Sequence, residues 1–145
     1  MNDAAANDSH HVLVFIDLDK FKAVNDTAGH AAGDALLREL AELMPHHLRS
    51  SDMLARLGGD EFGVLLPNCE VDQVRDVVQR IVTAVSEYRF IWQDQPYHVG
   101  ASAGITQIDQ RNCISNVVMS QADVACYSAK HAGRGQYHVY QEVQM

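Results

Sequence analysis

The 145-residue chain is predicted to fold as an α/β or α+β domain, a mostly antiparallel sheet with helices laid over it. Three observations carry this. The run Val12-Leu13-Val14-Phe15-Ile16 is continuously apolar, as a buried central strand requires. Residues 53–57 and 62–66 form two apolar stretches around a Gly58-Gly59 turn, the pattern of a hairpin. Val71, Val74, Val77, Val78, Ile81, Val82 and Val85 then recur at helical spacing.

Taken in order, a first strand spans 12–17 and a short helical turn follows at 20–24. Asp34 opens a helix whose apolar stripe is Leu36, Leu37, Leu40, Leu43 and Met44. The hairpin comes next, and after Pro67-Asn68 an amphipathic helix covers 71–88. Residues 97–108 read as one strand containing Gly100 and Gly104. Ser115 is placed to cap a helix reaching Lys130, with Gly133 as its stop, and 136–140 is a last short strand. There is no repeat, low-complexity linker or second domain; 1–10 reads as a flexible tail, 11–141 as the domain, and 142–145 as a tail or the start of a linker.

Composition narrows the function. A hydrophobic content of 47% with 21% charged residues suits one globular domain with a real core. No apolar run approaches a membrane span, and the start is polar, so no membrane contact by this domain and a cytoplasmic setting are expected. Cys69, Cys113 and Cys126 are odd in number and lack metal-ligand spacing, which points to free thiols in a reducing compartment, with Cys126 a small core residue. The formal charge of −8 argues against binding a nucleic acid polymer, and a polyanionic substrate would need local cations. The histidine pairs His10-His11 and His46-His47 read as solvent-facing; His30 and Asp34 lie one helical turn apart but have no third ligand for a transition metal. No Ser-His-Asp or Cys-His arrangement suggests a covalent nucleophile.

The chemistry concentrates in Leu57-Gly58-Gly59-Asp60-Glu61-Phe62, where two carboxylates ride on a tight turn. Acidic groups at a hairpin tip have no packing reason to be there. The first strand ends in Asp17-Leu18-Asp19, so pairing it beside the hairpin gathers three or four carboxylates at one sheet end. Oxygen-only clusters suit magnesium, and magnesium beside phosphates suits nucleotide chemistry. A calcium hand fits poorly, because Asp17-x-Asp19 lacks the third ligand and the glycine of that loop.

Four motifs in order, Asp17-Leu18-Asp19-Lys20-Phe21-Lys22-Ala23-Val24-Asn25-Asp26 with Gly29-His30, Gly33-Asp34, Arg56 to Phe62, and Ala129-Lys130-His131-Ala132-Gly133-Arg134, resemble the GGDEF family of diguanylate cyclases. The resemblance covers about residues 12–140. It implies an α+β sandwich related to the palm of nucleotide cyclases and polymerases, with a ferredoxin-like core. It also implies condensation of two GTP into cyclic di-GMP across a homodimer, with Mg2+ or Mn2+ on Asp17, the Leu18 carbonyl and Asp60, and with Asp60 and Glu61 at the reacting centre.

Asn25 and Asp34 match the family's guanine-reading positions: a carboxylate accepts from the guanine N1 and N2 protons, and an amide addresses O6 or N3. Without the resemblance Asn25 reads equally as a turn former and Asp34 as a helix N-cap. Phe21, Lys22, Lys130 and Arg134 match positions near the triphosphate, although Lys130 and Arg134 also suit a helix C-terminus. Gly135 stands where the family usually has asparagine. Arg49 and Asp52, in Arg49-Ser50-Ser51-Asp52, together with Arg80, match the family's inhibitory product site; ordinary ion pairing, Arg80 with Asp76 for instance, is the competing reading. Family members usually carry an Asp-x-Leu-Thr-type segment and a helix before the first strand, whereas here the chain starts almost at that strand. The C-terminal part, from Arg89-Phe90-Ile91-Trp92 to His138-Val139-Tyr140-Gln141, resembles GGDEF domains joined to EAL-type phosphodiesterases. A fused sensor and an EAL domain are therefore expected in a larger, in some cases membrane-tethered, parent.

Overall fold

The computed structural model describes residues 10–109 and 115–140. Cys113 and most of the two expected tails lie outside them. Strand β1 (His11–Asp19) is followed by helices α1 (Phe21–Ala28) and α2 (His30–Leu43), a 3-10 turn, the hairpin β2 (Met53–Gly58) and β3 (Glu61–Leu66), and helix α3 (Val71–Glu87). A small hairpin, β4 (Phe90–Trp92) with β5 (Gln95–Tyr97), leads to β6 (Gly100–Ile108), helix α4 (Ser115–His131) and β7 (Tyr137–Val139).

The five-stranded sheet has the order β2-β3-β1-β6-β7; every pairing is antiparallel except β6 with β7. Strand, helix, hairpin, helix and strand arranged this way form the expected ferredoxin-like core. Alternation along β1 divides the molecule into two layers. Val12, Val14, Ile16 and Leu18 enter the main core with Leu36 and Leu40 of α2 and Val78 and Ile81 of α3. Leu13 and Phe15 face the other way and meet Val118, Ala122 and Cys126 of α4. Asp17 and Asp19 continue that second face, so the acidic end of β1 looks toward the α4 side.

Helix α4 lies hard against the sheet at Gly104, where an added Cβ would come within 2.2 Å of the Cys126 backbone nitrogen. Cys69 and Cys126 are buried free thiols, as anticipated for Cys126. Burial pushes the Cys126 thiol up to about 12, so it packs and does not react at neutral pH. Among the described residues no helix is long and apolar enough to cross a membrane.

Three local readings change. Helix α2 starts at His30, not Asp34, because Gly29 at φ 96 ends α1 and begins α2 at once; Asp34 is therefore an exposed helical residue and caps nothing. The β4–β5 hairpin was hidden because its turn is Gln93-Asp94, both at positive φ, without the glycine that usually announces such a turn. His11 is buried, not solvent-facing, and its Nδ1 accepts from the Asn68 backbone N–H at 3.0 Å.

Candidate active site at the end of the first strand

Asp17 and Glu61 stand opposite each other in the β1–β3 ladder, and the Leu18 N–H donates to the Asp60 carbonyl at 3.1 Å. The turn that brings Asp60 there is bulged between Arg56 and Gly58, with Gly59 at φ 50, a conformation that costs a glycine little. Arg56 steadies it by donating from Nε to the Gly59 carbonyl at 3.1 Å. The hairpin thus carries both acids to the end of β1.

Electrostatics register the crowding. Burial, and next the neighbouring Asp60, push the Asp17 carboxyl up to about 6, against the lowering pull of Lys130, with Glu61 adding a smaller upward push. Asp17 Oδ2 lies 3.1 Å from Lys130 Nζ, whereas Oδ1 is buried without a hydrogen-bond partner. Among the described residues no three acidic, imidazole or thiol groups are arranged to enclose a metal ion. The donor chemistry nevertheless suits a hard cation: the side chains gathered here are carboxylates, and one buried Asp17 oxygen is left without a hydrogen-bond partner.

Asn25 and Asp34 are brought together by the tight α1–α2 pair. The Asn25 amide lies over Gly33, where an added Cβ would come 1.8 Å from its oxygen, and Asp34 is the next residue. That Asn25 oxygen is buried and has no hydrogen-bond partner. Phe21 is buried at the start of α1 and Lys22 is exposed. No side chain caps α1, and Lys20 precedes it at φ 66, so the first-turn amides of Phe21 and Lys22 have no side-chain acceptor.

The cations of the fourth motif close the site. Lys130 sits near the end of α4, and Arg134 lies in the following turn at φ 63. Both surround Asp19, at 3.9 Å from Lys130 Nζ and 3.8 Å from Arg134 Nε. The sequence counted Asp19 among the carboxylates at the sheet end and gave it no individual role. It is 3% exposed, accepts from the Ser102 hydroxyl at 2.9 Å and accepts from the Gly135 N–H at 3.1 Å. Its signal was the two-residue spacing from Asp17, which puts both acids on one strand face; Ser102 had none.

Arg49 and Asp52 form a separate constellation. Asp52, with its side chain 1% exposed, accepts from Arg49 Nη2 at 2.7 Å and from the Arg49 backbone N–H at 2.7 Å, while Nη2 also donates to the Pro67 carbonyl at 2.9 Å. Both residues line a cavity of about 310 Å³ together with Arg56, Leu54 and Phe62. Arg80 is exposed on α3 and is not among the residues lining that cavity.

A ferredoxin-like sheet with carboxylates, an amide and an acid on two adjoining helices, and two cations at one end defines a palm-type domain. The family described as "Diguanylate cyclase, GGDEF domain" matches residues 1–136. The probable diguanylate cyclase DgcE of Escherichia coli (strain K12) is 63% identical over 140 residues, which are 95% of this chain and 13% of DgcE. The bifunctional diguanylate cyclase/cyclic di-GMP phosphodiesterase MucR of Pseudomonas aeruginosa is 36% identical over 137 residues, 94% of this chain and 20% of MucR. In three dimensions the chain is similar to the crystal structure of the GGDEF domain of DgcB from Caulobacter crescentus in complex with c-di-GMP, with a TM-score of 0.90 and 26% identity over 97% of this chain and 83% of that one. The chain belongs to the GGDEF domain family of diguanylate cyclases. It spans a fifth or less of the length of these two curated relatives.

Proposed function

We propose that residues 11–141 form a GGDEF domain that joins two GTP into cyclic di-GMP and releases two pyrophosphates, each chain of a homodimer bringing one GTP. The observation that carries this is the buried Asp17 oxygen left unpaired beside Asp60 and Glu61, with Lys130 and Arg134 close by. Magnesium or manganese held by Asp17, the Leu18 carbonyl and Asp60 would lower the pKa of the attacking 3′-hydroxyl and offset phosphate charge. Glu61, next to Asp60 at the start of β3, serves as an auxiliary ligand or as a group near that hydroxyl. Asn25 and Asp34 read the guanine edge, and a base lacking the N1–H and N2–H donors leaves Asp34 unpaired. The amides of Phe21 and Lys22 cradle phosphate at a helix N-terminus, with Lys130 as a point charge and Arg134 as a fork.

The test is GTP turnover with magnesium in an enforced dimer, followed by chromatography. Cyclic di-GMP is the expected product, lost in Asp60→Ala; an enforced dimer that yields none refutes the reading. Arg49, Asp52 and Arg80 form the inhibitory site for that product: two arginines and a carboxylate match phosphates and guanine edges. Calorimetry with cyclic di-GMP is expected to show at least tenfold weaker binding in Arg49→Ala, the loss of a charged bidentate contact; unchanged affinity removes the site. A fused sensor and an EAL domain complete the proposed parent. Similarity to the bifunctional MucR supports an attached phosphodiesterase, and a second reading makes this domain a GTP-binding module that regulates it. Activation of the parent protein by GTP without turnover decides for that one.

A further inference from the structure

Ser128, Gln136 and His138 have no part in the site described above, yet they form a directed hydrogen-bond chain. Gln136 donates from Nε2 to the Arg134 carbonyl at 3.2 Å, which orients its amide. Its Oε1 then faces His138 Nε2 at 2.8 Å and accepts from it. With the proton on Nε2, His138 Nδ1 accepts from the Ser128 hydroxyl at 2.9 Å. The order Ser128 to His138 to Gln136 to the Arg134 carbonyl links α4, β7 and the turn between them, and all three side chains are partly buried.

The chain ends on a residue that needs holding. Arg134 has φ 63, a left-handed backbone that a non-glycine side chain adopts only under constraint, and Gly135 follows at φ 62. The opposite side of the turn is anchored by the Gly135 N–H on Asp19 and by the Arg134 N–H on the Ala129 carbonyl at 3.1 Å. The Gln136 backbone is pinned as well, its carbonyl accepting from the Ala103 N–H at 2.9 Å. The Arg134 carbonyl is held by the side-chain relay.

We propose that Ser128, His138 and Gln136 are positioning residues that fix the Arg134 turn for the triphosphate end of the nucleotide. This rests on the GTP reading above. None of the three touches substrate; they act through the Arg134 backbone, so their effect is confined to the phosphate end and vanishes when the Arg134 side chain is gone.

The test is calorimetry on the full chain with magnesium, using a non-hydrolysable GTP analogue and, separately, GMP. Gln136→Met keeps the shape and removes the amide. It is expected to weaken the GTP analogue about 3- to 10-fold, the range of one hydrogen bond, while leaving GMP affinity within about twofold. In an Arg134→Ala background Gln136→Met is expected to add nothing, a double-mutant cycle that a merely structural role would not produce. If Gln136→Met melts too low to measure, Ser128→Ala reads the same coupling with loss of one hydroxyl. Additive losses, an equal loss for GMP, or unchanged GTP-analogue affinity overturn the network alone. A wild-type chain that binds no GTP analogue overturns the functional reading and this one with it.

Discussion

At the scale of single residues, Asp17 is held in a state its surroundings disfavour. Its carboxyl titrates at about 6 because burial and Asp60 oppose ionisation more than Lys130 favours it. The folded pKa is raised, so the unfolded chain ionises first and stability drains away as pH rises from about 4 to about 6. Asp17→Asn should therefore match the wild type near pH 4 and exceed it above pH 6 in divalent-free buffer, by roughly 2–4 °C in melting temperature for each kcal/mol relieved. Thermal scans across pH check this, and a variant that is less stable at pH 7 contradicts it. Asp19 has the opposite character, with its oxygens satisfied by Ser102 and Gly135. Asp19→Ala leaves a buried hydroxyl and an amide without an acceptor and should cost about 1–3 kcal/mol in denaturant unfolding; a loss below a few tenths would show that water replaces the carboxylate. The metal and guanine candidates were legible in the motifs. Asp19 was legible only as one more carboxylate at the sheet end, because its partners Ser102 and Gly135 lie far along the chain.

At the scale of elements, each strand and helix announced by a long apolar period was found, and what escaped had weak local signals. The β4–β5 turn uses Gln93-Asp94, and the start of α2 depends on Gly29, which permits a helix to begin one residue after another ends. Helix α4 matters most to the site, since it carries Lys130 and its seat is Gly104. Gly104→Ala drives a methyl into the α4 backbone and should cost about 1–3 kcal/mol, lowering the melting point by roughly 3–10 °C. Nucleotide affinity should fall in the same variant as Lys130 is displaced; a variant with unchanged melting point means α4 can slide without penalty.

For the whole molecule, the net charge of −8 sets the terms on which a polyanion can approach. Long-range steering does not favour it, so in the proposed reading affinity rests on the local groups: Lys22, Lys130, Arg134 and the amides opening α1. In the proposed reaction, one site per chain and a product made of two nucleotides require two chains to face each other. Turnover per chain should therefore rise with chain concentration and level off as dimers fill; turnover independent of concentration in a sample that stays monomeric by sedimentation rules out the two-chain mechanism.

The order of elements, the acidic turn and the residue types at each motif were settled along the chain, because apolar period and glycine placement act over a few neighbouring residues. Which of those residues meet was settled in three dimensions. Register alone sets Glu61 opposite Asp17, and the seat of α4 alone brings Lys130, some hundred positions away, to the same carboxylate. Such pairings arise from sheet order and helix packing, which bring together residues that no local pattern connects.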